Sequence, residues 1–276
     1  MSAVIEAVAV GMLALIVATL PRNALFAANL RILPSLPWSV PLVAVLLWFF
    51  WRYMNGWGPP EDTAATRHAR LRANGLAPGV WLWALVAGGL GIVTLVLILR
   101  VANRLMTLPD QTPPDLSAIP LITLAPMLLL SSFFAGVVEE ASFRGYMQGM
   151  IERQFGPVIG ILIAGVMFAV AHLDFTPVLL PYYIAVSAIY GVVSYLTNSI
   201  LPAVVLHTCG NIYSNTDLWV RGRAEWQASG TTSSIWVTGT DTAFWGSIGA
   251  IVVFGCATIW AYIVLARRTS RRTAGA

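Results

Sequence analysis

The chain has few ionisable side chains and no lysine at all. Charged residues make up 10% of its 276 residues, whereas hydrophobic residues make up 58%, and its mean hydropathy is +0.76. Soluble domains carry about 25% charged residues, so this composition argues against a soluble globular domain. The sequence therefore predicts an all-α integral membrane protein.

Cysteine and basic clusters are also scarce. The two cysteines, Cys209 and Cys256, match no disulfide or metal-binding spacing, so we expect small packing residues inside apolar helices. All sixteen basic residues are Arg, and the net charge is +4. No basic patch interleaved with aromatic residues occurs, so the sequence predicts membrane lipids as partners and no nucleic acid.

Long apolar segments are what the chain has instead. A helix that spans the lipid core needs about 20 mainly apolar residues. Eight segments approach that length, and they cover 3–20, 38–54, 80–99, 118 to the glutamates at 139–140, 157–173, 178–196, 202–220 and 243–266. The first segment lacks a basic n-region and a cleavage site, so we expect a retained helix. We predict a single polytopic domain over 1–276, with about eight transmembrane helices enclosing a polar site.

The distribution of arginine predicts the orientation, because cytoplasmic loops carry an excess of basic residues. One side would hold two groups of four, namely Arg52, Arg67, Arg70, Arg72 and Arg267, Arg268, Arg271, Arg272. The opposite side would hold Arg22, Arg31, Arg221 and Arg223. We therefore expect both termini to be cytoplasmic, in the inner or plasma membrane of the cell. The segment 56–78 could form a short amphipathic helix on the cytoplasmic surface.

Ionisable residues inside the apolar segments indicate a functional site, because they are costly in a membrane. Glu139 and Glu140 lie where the fourth segment loses its hydrophobicity, and His172 lies in the fifth. Glu140 and Arg144 are four residues apart, so they can form an ion pair on one helix. Glu139 lies about 100° around the helix from Glu140, so it is free to face a different neighbour.

A short turn at 154–157 predicts an antiparallel hairpin between the fourth and fifth segments. Glu139 and His172 lie nearly the same number of residues from this turn, so a carboxylate and an imidazole can meet at similar depth. Phe168, one turn before His172, could wall the site from lipid.

The seventh segment adds two polar side chains on one helical face, His207 and Asn211. An imidazole and a carboxamide are hydrogen-bond donors of the kind that stabilise an oxyanion. Together with a glutamate and a second histidine, they form a set able to activate water for attack on an amide.

Other interpretations of the same residues remain open. A Glu–Arg pair can be a structural bridge, and His or Asn can serve as interhelical contacts. Glu139, His172 and His207 could also bind Zn²⁺, although the H-E-x-x-H motif is absent. A proton-coupled transporter would place similar residues in the membrane, but no inverted repeat is found. A non-catalytic scaffold or bacteriocin-immunity protein is a further alternative.

Three motifs resemble the signatures of the CPBP (Abi) family, which contains CAAX-type proteases and bacteriocin-processing enzymes such as the Ras-converting CAAX endoprotease. They are E-E-x-x-x-R at 139–144, F-x-x-x-H at 168–172 and H-x-x-x-N at 207–211. They occur in the family's order, within a catalytic-motif core at 118–215.

The resemblance implies an intramembrane endopeptidase with eight helices. By this likeness Glu139 would activate the attacking water with His172, while Glu140 and Arg144 would orient the site. His207 and Asn211 would form the oxyanion hole. The reaction would need no cofactor, with Zn²⁺ as the alternative, and a peptide or protein substrate would enter from the lipid or the cytoplasmic side.

Overall fold

The computed structural model describes residues 2–106, 115–223 and 234–273, and within them every regular element is a helix. This confirms the all-α prediction. Outside the described residues lie the prolines at 109, 113 and 114, the part of the polar stretch between 224 and 233, and the side chains of Arg271 and Arg272.

The helices follow one another with short connections. The first half contains α1 (Ser2–Ile32), α2 (Ser39–Met54), α3 (Ala64–Leu71) and α4 (Pro78–Leu105). The central part contains α5 (Leu121–Glu139), a π-helical segment (Glu140–Gln148), α6 (Gly149–Phe155) and α7 (Pro157–Ala171). The last part contains α8 (Leu179–Thr197), α9 (Leu201–Arg221), α10 (Ile235–Thr238) and α11 (Thr242–Thr273).

Five of the described helical stretches are long and apolar enough to cross a membrane. They are α1, α4, the continuous stretch Leu121–Phe155, α8 and α11, while α2 and α7 are apolar but shorter. These helices indicate a multi-pass membrane protein. The number eight stays a prediction, because three of the predicted spans, those at α2, α7 and α9, do not meet the same criteria of length and hydropathy.

Helix α1 is longer than the sequence predicts. It continues through Pro21, which membrane helices tolerate, and ends where the buried Asn29 donates to the carbonyls of Leu33 and Leu36. Arg22 and Arg31 therefore lie on α1 and not in the connection that follows it.

The outer surface of the bundle is apolar. Helix α11 exposes large side chains such as Val252, Val253 and Trp260, as expected for helices that contact lipid. Cys209 and Cys256 are both free thiols on exposed faces of their helices, so the prediction that they are packing residues is wrong. Apolar neighbours in sequence did not distinguish a face buried in the bundle from one turned outward.

The segment after α2 forms the predicted short helix, α3, and its arginines contact the neighbouring helices. Arg67 is buried and donates to the carbonyls of Tyr53 and Gly58. Arg72 pairs with Glu152 of α6 at 2.7 Å and donates to the Ser194 carbonyl of α8. The Arg72 carbonyl accepts from the amide of Ile200, so this segment fixes the beginning of α9.

Helices α5 and α9 pack closely at Gly136. A Cβ atom at this position would collide with Thr208 Oγ1 and lie 3.1 Å from the carbonyl oxygen of Val204. Only a glycine allows this approach, which brings the end of α5 beside the middle of α9. The glutamates of α5 and the histidine of α9 are thereby placed together.

We expect Gly136→Ala to destabilise the protein by about 1–3 kcal/mol, because the added methyl group meets atoms of α9. Thermal unfolding in detergent measures the effect as a lower Tm. Gly89→Ala on α4 is the matched control, since no atom lies within 4 Å of its added Cβ. Equal Tm values for the two variants would contradict the proposed contact.

Candidate active site

The site is built on a π-helical segment that continues α5. All nine residues of Glu140–Gln148 are buried, although four of them are polar or charged. π-Helical turns are rare and often occur at functional sites. The sequence signal here was only a loss of hydrophobicity, and it did not reveal that the helix continues to Phe155 with altered geometry.

Glu140 lies at the centre of a buried hydrogen-bond network. Its Oε1 accepts from Arg144 Nη1 at 2.9 Å and lies 2.7 Å from His207 Nδ1. Both Glu140 and Arg144 are completely buried, which confirms the predicted ion pair. Arg144 Nη2 also donates to Ser187 Oγ at 2.8 Å, so the network joins the π segment, α8 and α9.

Aromatic rings enclose the guanidinium group of Arg144. Its central carbon lies 4.6 Å from the Phe168 ring centroid and 5.2 Å from that of Tyr190. Phe168 is buried and also packs 5.4 Å from the Phe143 ring. Desolvated cation–π contacts of this kind are worth about 2 kcal/mol or more. Phe168 therefore packs beside His172 as predicted and covers Arg144 as well.

The two histidines are held by similar means on different helices. His172 Nδ1 lies 2.8 Å from the Phe168 carbonyl oxygen, and its ring stacks on Tyr183 at 4.1 Å. His207 stacks on Tyr190 at 5.1 Å. A carbonyl only accepts, so Nδ1 of His172 carries a proton and Nε2 of the neutral ring is an acceptor.

The two tyrosines that stack on the histidines belong to none of the three motifs. Tyr183 is one of an aromatic pair in the sixth segment, whereas nothing in the sequence singles out Tyr190. They lie seven residues apart on α8, which is two helical turns, so both face the same side. Their spacing is the one signal that could have linked them.

The two adjacent glutamates have different environments. The Glu139 side chain keeps 22% of its surface exposed, whereas Glu140 has none. Glu139 Oε2 lies 3.9 Å from His207 Nε2, which is too long for a direct hydrogen bond but leaves room for a bridging water. Glu139 makes no hydrogen bond or ion pair with His172 in the described part of the chain, so its neighbouring imidazole is His207.

A cavity of about 100 Å³ lies beside these groups. His172, His207 and Asn211 all line it, together with Tyr183 and Tyr190. The structure therefore brings together side chains from α7, α8 and α9, while Glu139 approaches His207 from α5. Two imidazoles and a carboxamide therefore line a space large enough for a water, and the Glu139 carboxylate lies 3.9 Å from one of those imidazoles.

The alternative of a Zn²⁺ site depends on Glu139, His172 and His207. Within 2–106, 115–223 and 234–273, no three His, Cys, Asp or Glu side chains are grouped so that they could hold a metal ion. Nδ1 of His172 and Nδ1 of His207 are each engaged by a protein oxygen.

Residues 121–213 match the family model described as type II CAAX prenyl endopeptidase Rce1-like. This segment is similar to the proteins that the model describes. All three motifs lie within the match, and it supports a CAAX-type intramembrane endopeptidase in general. No curated protein and no solved structure matches the chain.

We expect Arg144→Met to destabilise the protein by about 3–5 kcal/mol, because it leaves the buried Glu140 carboxylate without its counter-charge. Arg70→Met is the matched control, since Arg70 and Glu6 are both partly exposed and 3.8 Å apart, and exposed pairs contribute at most about 1 kcal/mol. Thermal unfolding of both variants measures the difference. A Tm of Arg144→Met equal to that of wild type would show that the network does not stabilise the fold.

Proposed function

We propose that the protein is a glutamate-type intramembrane endopeptidase that hydrolyses a peptide bond of an apolar or membrane-associated substrate without a metal ion. The observation that carries this proposal is the unequal exposure of two adjacent glutamates. Glu140 is enclosed and bonded to Arg144 and His207 through one oxygen, whereas Glu139 keeps part of its surface exposed 3.9 Å from His207, which lines a cavity together with His172 and Asn211.

Glu139 is the general base in this mechanism. Glu140 is fully buried, and its Oε1 is already occupied by Arg144 and His207. Glu139 is accessible and lies close to an imidazole, as a group that removes a proton from water must. The proton goes to Glu139, and the hydroxide oxygen attacks the carbonyl carbon of the peptide bond.

His172, in the role that the family resemblance implies, holds the attacking water together with Glu139. The Phe168 carbonyl keeps the proton on Nδ1, so Nε2 can accept a hydrogen bond from that water. Tyr183, stacked on the ring, fixes its plane. Preorganisation of this kind reduces the entropy lost on reaching the transition state.

His207 and Asn211 stabilise the oxyanion of the tetrahedral intermediate. The Glu140 carboxylate accepts from Nδ1 of His207, so Nε2 can donate to the oxyanion when the ring carries both protons. The carboxamide of Asn211 supplies the second donor from the next turn of α9. When the intermediate collapses, protonated Glu139 returns its proton to the leaving amine.

We further propose that the protein lies in the cell membrane with both termini cytoplasmic and meets its peptide from the lipid or the cytoplasmic side. The excess of arginine after α2 and α11 supports this orientation. The position of Arg22 on α1, packed against α5, removes one of the four arginines that opposed it.

Glu139→Gln is expected to lower hydrolysis of a fluorogenic peptide library by at least about 10²-fold, because the amide cannot accept the proton. Glu6→Gln, at an exposed carboxylate of α1, is the control and should leave turnover unchanged. Hydrolysis should continue in the presence of a strong chelator. If the chelator abolishes hydrolysis and added Zn²⁺ restores it, the metal-free mechanism is wrong. A transporter would lose flux instead of hydrolysis, and a scaffold would lose neither.

Asn211→Ala is expected to lower kcat by about 10² to 10³-fold with little change in KM, because it removes a donor that acts on the oxyanion. Asn215→Ala, one turn further along α9, is the control, since Asn215 donates to Ser132 at 2.8 Å and lies outside the oxyanion hole. Comparable losses of kcat in both variants would argue for a structural effect on α9.

A further inference from the structure

Arg22 lies inside the bundle, on the side of α1 that faces α5. Its Nη1 donates to Ser131 Oγ at 2.6 Å, and its guanidinium carbon lies 5.2 Å from the Phe134 ring centroid and 5.9 Å from that of Phe26. The side chain is half-buried between these groups. A basic group is thus held in place by a hydroxyl and two aromatic rings.

The charge of Arg22 has no counter-charge in contact with it. Among the described residues Arg22 takes part in no ion pair, and its Nε is buried without a hydrogen-bond partner, as are those of Arg104 and Arg144. Arg72 and Arg144, which are buried too, each contact a glutamate. A guanidinium in apolar surroundings is costly unless an anion accepts its remaining donors, and its planar fork suits a carboxylate.

Arg22 is bonded to the helix that carries Glu139, because Ser131 and Glu139 both lie on α5. The serine next to Ser131, Ser132, accepts from Asn215, so polar groups of α5 and α9 line the same region. Eight residues separate Ser131 from Glu139, which corresponds to about 12 Å along a helix.

We propose that Arg22 binds a carboxylate of the peptide substrate at a fixed distance from the bond that Glu139 cleaves. This inference rests on the proposed peptidase function and adds the chemistry that selects the substrate. About 12 Å corresponds to three or four residues of extended peptide at about 3.3 Å per residue. The carboxylate can be the C-terminal group of the peptide or an acidic side chain, and both would form charge-assisted bonds with the guanidinium.

Three versions of one apolar peptide test the proposal in an uncharged maltoside detergent. The first has a free C-terminal carboxylate, the second is amidated, and the third is amidated with a Glu three or four residues from the cleaved bond. Turnover is measured with wild type, and binding is measured by fluorescence anisotropy with the inactive Glu139→Gln variant. We expect the amidated peptide without Glu to bind about 10- to 100-fold more weakly than at least one of the two carboxylate peptides. The carboxylate peptide that binds tightly shows whether Arg22 recognises the C-terminal group or an acidic side chain.

Arg22→Gln should lower the affinity for the carboxylate peptide to that for the amidated peptide, so that the preference is lost. Arg22→Lys should retain part of the preference. Arg31→Gln, at an exposed arginine of the same helix, is the control and should change neither peptide. If wild type does not discriminate among the three peptides, the inference is wrong whether or not the variants fold. If Arg22→Gln weakens the binding of all three peptides equally, the inference is also wrong, and Arg22 instead helps to position Glu139.

Failure of the two proposals gives different results. If no peptide is hydrolysed in a way that depends on Glu139, but the carboxylate peptides still bind more tightly than the amide, the peptidase function is refuted. An anion site at Arg22 would then remain. Hydrolysis that depends on Glu139, without discrimination by carboxylate, would refute only the role of Arg22.

Discussion

The shared hydrogen bonds of the Glu140 carboxylate are the interaction on which the rest of the site depends. A charge removed from water costs several kcal/mol, and the attraction between two buried charges offsets that cost only when their geometry is good. Arg144 and His207 meet the same oxygen of Glu140, and Ser187 accepts from the far side of the guanidinium. The network therefore fixes the relative positions of the π segment, α8 and α9. Aromatic rings cover it and keep it dry.

This network separates the roles of two residues that are neighbours in sequence. A single step along a helix turns a side chain by about 100°, which is enough to send Glu140 into the network and leave Glu139 beside it. Glu140 then holds His207 through Nδ1, and Nε2 is directed toward Glu139 and the cavity. The enclosed glutamate thus positions an imidazole for the accessible one. Preorganised donors need no rearrangement when charge develops, which is the main reason that such sites accelerate reactions.

The sequence predicted those parts of the structure that depend on local spacing. The lengths of the apolar segments gave helices close to the observed α2, α4 and α7, and the spacing of four residues gave the Glu140–Arg144 pair, because both partners lie on one helix. What depends on distant contacts was not predicted. The hydrogen bond from Arg22 to Ser131 joins positions 109 residues apart, and the continuation of α1 through Pro21 depends on packing against α5 and on the cap at Asn29. The π-helical geometry likewise follows from packing around a buried charge.

The use of arginine at every basic position fits the way in which this bundle buries charge. A guanidinium has five donors in a planar fork and can contact several acceptors at once, whereas an ammonium is a compact charge that holds its water more strongly. Arg67 donates to backbone carbonyls, and Arg144 donates to Glu140 and Ser187. Arg72 contacts Glu152, the Asn198 side chain and the Ser194 carbonyl. Each of these arginines fastens helices together because the chain itself supplies the acceptors. Arg22 differs, since a hydroxyl satisfies one of its donors and no carboxylate of the described residues contacts it. An arginine that is packed like the structural ones, but lacks a carboxylate partner, is matched in our proposal to a carboxylate that arrives with the substrate.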